Sequence, residues 1–133
     1  MTAVFLDTVG LLALWDLSDQ WHPAAEAAFK ELSQRRATLV TTAYILLECG
    51  NAAARRPYRT EVNTLREMLE RRNEILVPTQ REWEMAWRAY HRGDAGAAGI
   101  VDHLSFVVMR RHGIQEAFTN DRHFRFAGFT TLF

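Results

Sequence analysis

Along this chain, short solid runs of apolar residues alternate with stretches whose apolar positions recur every three to four residues. The first run, Val4-Phe5-Leu6, predicts a buried strand that ends at Asp7 and Thr8. Leu11, Leu12, Leu14 and Trp15 then carry a helical pattern, and residues 16–20 form a polar break. His22-Pro23 opens a second helix, since proline is tolerated where the first helical N–H groups have no partner. Ala24, Ala27, Ala28, Phe29 and Leu32 give it one apolar face, and residues 33–36 end it. Residues 38–41 (TLVT) predict a second strand. Thr41 or Thr42 is placed to cap a helix over 43–55, with Tyr44, Leu47 and Cys49 or Ala52 as its buried stripe and Glu48 on or beside that stripe. Beyond Pro57, a fourth helix over 58–72 carries Val62, Leu65, Met68 and Leu69, and residues 75–77 form a third strand closed by Pro78.

Thr79-Gln80-Arg81-Glu82 is a capping-box sequence. It starts a helix whose stripe of Trp83, Met85, Ala86, Trp87 and Tyr90 is expected to pack into the core rather than to stack on bases. Residues 93–99 (GDAGAAG) hold three of the seven glycines and read as a flexible connector. A helix over 100–112 turns Val101, Leu104, Ser105, Val108 and Met109 inward, with Gly113 as its stop. Residues 117–119 form a strand followed by Asn120-Asp121, and residues 129–133 a last edge strand. Strands alternating with helices predict a three-layer α/β/α architecture around a parallel sheet of four to five strands.

The 133 residues suit a single domain spanning 1–133. A net charge of zero supplies no electrostatic argument for nucleic acid. Of the 16 cationic residues only Lys30 is lysine; arginine forks suit phosphate, although genomic composition bias explains the skew as well. The single cysteine, Cys49, allows no intrachain disulfide and fits a reducing, cytoplasmic setting. The first apolar stretch has no basic residue ahead of it and is broken by Asp7, so it does not read as a signal peptide. No apolar run approaches the ~20 residues of a membrane span, so no membrane association is expected.

Four carboxylates are placed to converge. Asp7 and Asp121 end strands, and in a parallel sheet all strand C-termini share one edge. Glu48 sits in an otherwise apolar helix, and Asp102 opens a helix after the glycine-rich connector. Each has an ordinary structural use: Asp7 as a helix cap, Glu48 paired with Arg55 or Arg56, Asp102 on the helix dipole, Asp121 in a turn. Gathered together, however, ionised carboxylates repel one another unless something positive compensates. Hard divalent cations such as Mg²⁺ or Mn²⁺ take oxygen ligands and fit that requirement.

The stretches FLDT, TTAYILLE, VDHLSFVVMRRHGI and AFTNDRHFRFAGF resemble the motifs of the PIN-domain ribonucleases, and especially the VapC-type toxins of bacterial toxin–antitoxin pairs. The similarity spans almost the whole chain and preserves the order Asp, Glu, Asp, Asp. It implies a PIN-like fold and metal-dependent endonucleolytic cleavage of RNA by an activated water. It makes Asp7, Glu48, Asp102 and Asp121 the catalytic, metal-binding set, supported by the hydroxyls of Thr8 and Thr119. It also implies a homodimer, silenced by a cognate antitoxin whose C-terminal segment enters the active-site groove. Arg122 and Arg125, beside Asp121, are candidates for contacts to RNA phosphate. Asp94 resembles an additional acid of some relatives and is a candidate to face the site. Relatives often carry Ser-Leu-Thr where this chain has Gly99-Ile100-Val101, a change expected to weaken the helix cap ahead of Asp102.

Other functions meet specific obstacles. A PIN nuclease of RNA processing shares the same residues. A non-catalytic PIN scaffold has no need of an intact acidic set. A phosphoacceptor receiver domain needs a lysine at the sheet edge, and Lys30 lies in an early helix. A haloacid-dehalogenase-like phosphatase needs a second aspartate where this chain has Val9. His103, His112 and His123 lack structural-zinc spacing and read as surface or supporting groups, with His103 expected nearest the site. Trp15, Trp21 and Phe29 on the early helices are expected to form an exposed apolar surface for a dimer or antitoxin contact.

Overall fold

A computed structural model describes residues 2–133. Five parallel strands, β1 (Ala3–Leu6), β2 (Thr38–Thr42), β3 (Ile75–Leu76), β4 (Glu116–Phe118) and β5 (Thr130–Thr131), form one sheet in the order β3-β2-β1-β4-β5. Seven helices surround it: α1 (Thr8–Trp15), α2 (His22–Gln34), α3 (Ala43–Ala53), α4 (Arg59–Arg71), α5 (Gln80–Arg92), α6 (Ile100–Arg111) and α7 (Arg122–Phe126). The chain steps from β1 to β2 to β3 on one side, then crosses to β4 and β5 on the other. Right-handed crossovers therefore put α1–α4 on one face and α5–α7 on the opposite face. The packing agrees, since α1 meets α2 and α3, α3 meets α4, and α6 meets α5 and α7. The direction of travel switches between β1 and β4, where open α/β sheets place their ligand crevice.

The central strand is the most buried: Val4, Phe5 and Leu6 are all 0% exposed. They read as a solid apolar run because helices cover both faces. Around them Leu11, Leu32, Ile45, Leu69, Phe106, Met109, Phe118 and Phe124 complete the core. Gly10 is where α1 comes closest to the sheet, since a Cβ there would lie 2.0 Å from the Phe118 carbonyl oxygen.

Several elements depart from the sequence pattern. α3 buries Ile45, Leu46, Cys49 and Ala53, whereas Leu47 is 65% exposed, Tyr44 half-buried and Ala52 exposed. β2 passes into α3 with no loop and Thr42 as N-cap, so the strand sets the helix phase and places Glu48 beside the buried stripe. On α5 the inward residues are Glu82 and Ala86, while Trp83, Met85, Trp87 and Tyr90 are 37–46% exposed. The aromatic stripe of α5 is therefore not core. α5 packs chiefly on α6 and buries its small Ala86, while its large rings stay partly exposed. His103 is buried at 3% exposure rather than at the surface. β3 stops at Leu76 and leaves Val77 exposed, and the last strand is only Thr130–Thr131. Asp121, at the end of β4, also caps the short helix α7. The expected capping box of α5 is present, with Glu82 N–H donating to Thr79 Oγ1 and Thr79 N–H to Glu82 Oε1.

Candidate active site

β1 and β4 pair in register, Leu6 opposite Phe118, so the next residues, Asp7 and Thr119, leave the sheet side by side. Thr119 Oγ1 donates to Asp7 Oδ2 at 2.8 Å, and the same hydroxyl accepts from the Asp121 N–H at 3.1 Å. One buried threonine thereby links two strand-end acids. Asp7 also caps α1, accepting from the Val9 N–H at 3.3 Å. On the other side of β1, Thr41 Oγ1 donates to the Leu6 carbonyl at 2.7 Å, fixing the strand end that presents Asp7.

Glu48 arrives from α3, and Thr8 Oγ1 donates to its Oε1 at 2.6 Å. Asp121 Oδ1 accepts from the His123 N–H and lies 2.9 Å from His123 Nδ1, so one imidazole orients the carboxylate. Asp102 stands in the first turn of α6. Carboxylate oxygens of Asp102 and Asp121 and a ring nitrogen of His123 all lie within 4.8 Å of one another.

The electrostatics show that all four acids share one neighbourhood. Asp7 is 1% exposed, and its pKa is raised to about 7 by burial and by the charges of Asp102 and Asp121, despite the Thr119 hydrogen bond. Asp102 is raised to about 6 by burial and by Asp121 and Glu48. Beneath them the Cys49 thiol is pushed up to about 12 by burial and by Asp7 and Glu48, which makes it inert. Among the described residues, no lysine or arginine ion-pairs with these four acids, and His123 is the one basic partner. A concentrated set of oxygen donors, with Asp7 and Asp102 raised in proton affinity and almost no compensating cation nearby, fits a hard divalent ion such as Mg²⁺ or Mn²⁺.

Asp94 is instead exposed and held by Arg92 at 2.8 Å, which keeps its carboxyl below the usual range; it is not among the charges that perturb Asp7 or Asp102. Arg122 is exposed beside Asp121, while Arg125 donates to Thr131 Oγ1 at 3.4 Å. Gly99 caps α6 without a side-chain hydrogen bond, as the missing hydroxyls led us to expect. His123, expected as a surface or supporting group, takes the supporting part at Asp121, whereas His103, expected nearest the site, is buried against Tyr90 and Phe106. Gly10 and Thr41 carried no local signal, because their roles depend on strands distant in sequence.

The chain matches the PIN domain over residues 4–129. It is 30% identical over 130 residues, 97% of both chains, to the 23S rRNA-specific endonuclease VapC20 of Mycobacterium tuberculosis. The crystal structure of that protein, described as a sarcin-ricin loop cleaving toxin, superposes over 96% of both chains at 29% identity and a TM-score of 0.74. FitAcB from Neisseria gonorrhoeae shares the fold at 17% identity and a TM-score of 0.66, covering 96% of this chain and 95% of that one. Matched over residues 4–129 and built on a five-stranded parallel sheet, the chain belongs to the PIN domain family.

Proposed function

We propose that this protein is a metal-dependent endoribonuclease and the toxin of a toxin–antitoxin pair. The observation that carries the reading is the meeting of Asp7, Glu48, Asp102 and Asp121 at the sheet's switch point, with almost no protein cation to offset them. The end-to-end similarity to a toxin that cuts 23S rRNA supports the substrate class.

The four carboxylates would hold Mg²⁺ or Mn²⁺, which when bound supplies Lewis-acid activation of water and of the phosphodiester. The side chains have separable tasks. Thr119 holds Asp7 and the Asp121 backbone in one geometry, Thr8 holds Glu48, and His123 holds Asp121. Water is the nucleophile in this reading, with the Cys49 thiol buried and protonated and the Thr8 and Thr119 hydroxyls holding Glu48 and Asp7. Exposed Arg122, next to Asp121, is placed to meet a phosphate, and Arg125 lies one turn further along α7. An antitoxin segment is assigned to the open apolar groove of about 300 Å³ between α1, α2 and α4, lined by Leu11, Trp15, Phe29, Leu65 and Met68. Among the described residues no helix is long and apolar enough to cross a membrane. A cytoplasmic homodimer is part of the same reading.

The test is cleavage of a mixed RNA pool with Mg²⁺ and with EDTA, beside Asp7→Ala. Cutting that needs both the ion and Asp7 is the expected result. Cutting that survives EDTA or Asp7→Ala would refute the proposal, as would a protein free of any co-purified inhibitor that leaves the pool intact.

A further inference from the structure

A cavity of about 230 Å³ lies between α6 and α7, lined by Asp94, His103, Phe106, Arg110, Phe126 and Ala127. Its polar walls are held from behind. Arg110 donates to the Ala127 carbonyl at 2.8 Å, and its guanidinium carbon sits 5.2 Å from the centre of the Phe129 ring. The guanidinium fork has further donors to offer. Asp94 is kept in place by Arg92 Nη2 at 2.8 Å and supplies acceptor oxygens. His103 is 3% exposed, and Tyr90 and Phe106 meet its ring at 6.0 Å and 5.9 Å with interplanar angles of 87° and 67°. That packing fixes the imidazole, yet its Nε2 is buried without a hydrogen-bond partner among the described residues. Most buried polar atoms in folded proteins are paired, so an unpaired one on a cavity wall points to a group that enters the cavity.

Phe126 stands at the mouth, 76% exposed. A single exposed ring signifies little by itself. This one shares a face of α7 with Arg122 and Arg125, at i, i+3 and i+4 spacing, and all three are exposed. The same short helix starts at Asp121, its N-cap, so the ring lies about 7.5 Å along the axis from the acidic edge. α6 likewise carries Asp102 in its first turn, one residue before His103. The cavity is therefore walled by the two helices that begin at the acids. Its occupant is small, because drug-sized ligands need about 300–1,000 Å³. It must be flat to lie on Phe126, and it must carry both donors and acceptors for Asp94, His103 and Arg110. Arg122 and Arg125 call for negative charge outside the mouth. A nucleobase with its flanking phosphates meets each condition, since it has a π-face, a mixed donor and acceptor edge and an anionic backbone.

We propose that this cavity is a base pocket for the RNA substrate, in which one nucleobase beside the scissile phosphate stacks on Phe126 and is read at its edge by Asp94, His103 and Arg110. This rests on the ribonuclease reading and adds to it a choice of where the strand is cut. The pocket predicts a base preference at one fixed position flanking the cut.

The test measures binding of a labelled mixed-sequence RNA of about 12 nucleotides to the full chain carrying Asp7→Asn, in Mg²⁺. In parallel, the chain with Asp7 intact cuts the same pool, and the new ends are sequenced. Phe126→Ala should weaken binding about tenfold and raise KM with little change in kcat. Phe126→Tyr should restore most of the affinity. An RNA of the same backbone lacking its bases should bind equally with and without Phe126→Ala. Asp94→Ala should flatten the base preference beside the cut while cleavage continues. Unchanged affinity and KM in Phe126→Ala would overturn the pocket. So would an Asp94→Ala chain that keeps the same preference, which would reduce Phe126 to a ring on the surface. The two readings fail separately: base-dependent binding lost in Phe126→Ala by a protein that never cleaves leaves the pocket standing without the nuclease. Metal-dependent cleavage indifferent to both variants leaves the nuclease without the pocket. A protein that binds no RNA overturns both.

Discussion

Replacing Asp7 by asparagine should make the metal-free protein more stable while destroying its proposed activity. The buried carboxyl has its pKa raised from 3.8 to about 7, chiefly by burial and then by Asp102. Below pH 4 the group is protonated folded and unfolded, and it costs nothing. Between pH 4 and 7 the unfolded chain releases the proton and the folded chain keeps it, so stability falls as pH rises. Above pH 7 both states are ionised and the full penalty applies. At 1.36 kcal/mol per pKa unit, the interval from 3.8 to about 7 bounds that penalty at about 4 kcal/mol. Asparagine carries no charge, and its Oδ1 can still accept from Thr119 and from the Val9 N–H. Its own desolvation takes back about 1–2 kcal/mol, leaving a net gain of about 2–3 kcal/mol at pH 8. Urea unfolding in EDTA at pH 8 and at pH 5 measures it. The gap between Asp7→Asn and the unaltered protein should be wide at pH 8 and shrink at pH 5, where the folded carboxyl is already neutral. A variant no more stable at pH 8, or a gap independent of pH, would refute the electrostatic argument.

Millimolar Mg²⁺ should close that gap, because at a hundredfold excess over Kd it stabilises the unaltered protein by about 2.7 kcal/mol and Asp7→Asn by less, read as a larger rise in Tm. Gly10→Ala should destabilise by about 3 kcal/mol or more despite alanine's better helix propensity, because its Cβ would meet the Phe118 carbonyl oxygen at 2.0 Å; urea unfolding reads it. Thr119→Val removes the hydroxyl shared by Asp7 and the Asp121 N–H, and Mg²⁺ affinity by calorimetry should fall about tenfold with the fold intact. Thr79→Ala breaks the capping box of α5 and should cost about 1 kcal/mol in chemical unfolding.

The features legible in the chain were those governed by local periodicity and end chemistry. The solid run at Val4–Leu6, the capping box at Thr79 and the alternation of strand and helix each follow from a few neighbouring residues. The parallel sheet followed from that alternation, and the positions of Asp7 and Asp121 followed from the sheet, because parallel strands present all their C-termini on one edge. Local pattern could not fix helix phase or element ends. The direct passage of β2 into α3 set which side chains faced inward, so Leu47 was exposed and Ile45 buried. The stripe of Trp83, Trp87 and Tyr90 looks like core in a helical projection, yet only the geometry of α5 on α6 decides which of two adjacent faces is covered. The same limit applies at the site. The sequence determined that four carboxylates would reach one edge; tertiary structure decided that Thr119 joins two of them, that His123 supports one, and that Asp94 pairs with Arg92 instead. Residue types determine what chemistry is on offer, but hydrogen bonds and charge coupling depend on distances of a few ångströms between segments as far apart as Asp7 and Thr119. Those distances exist only once the chain has folded.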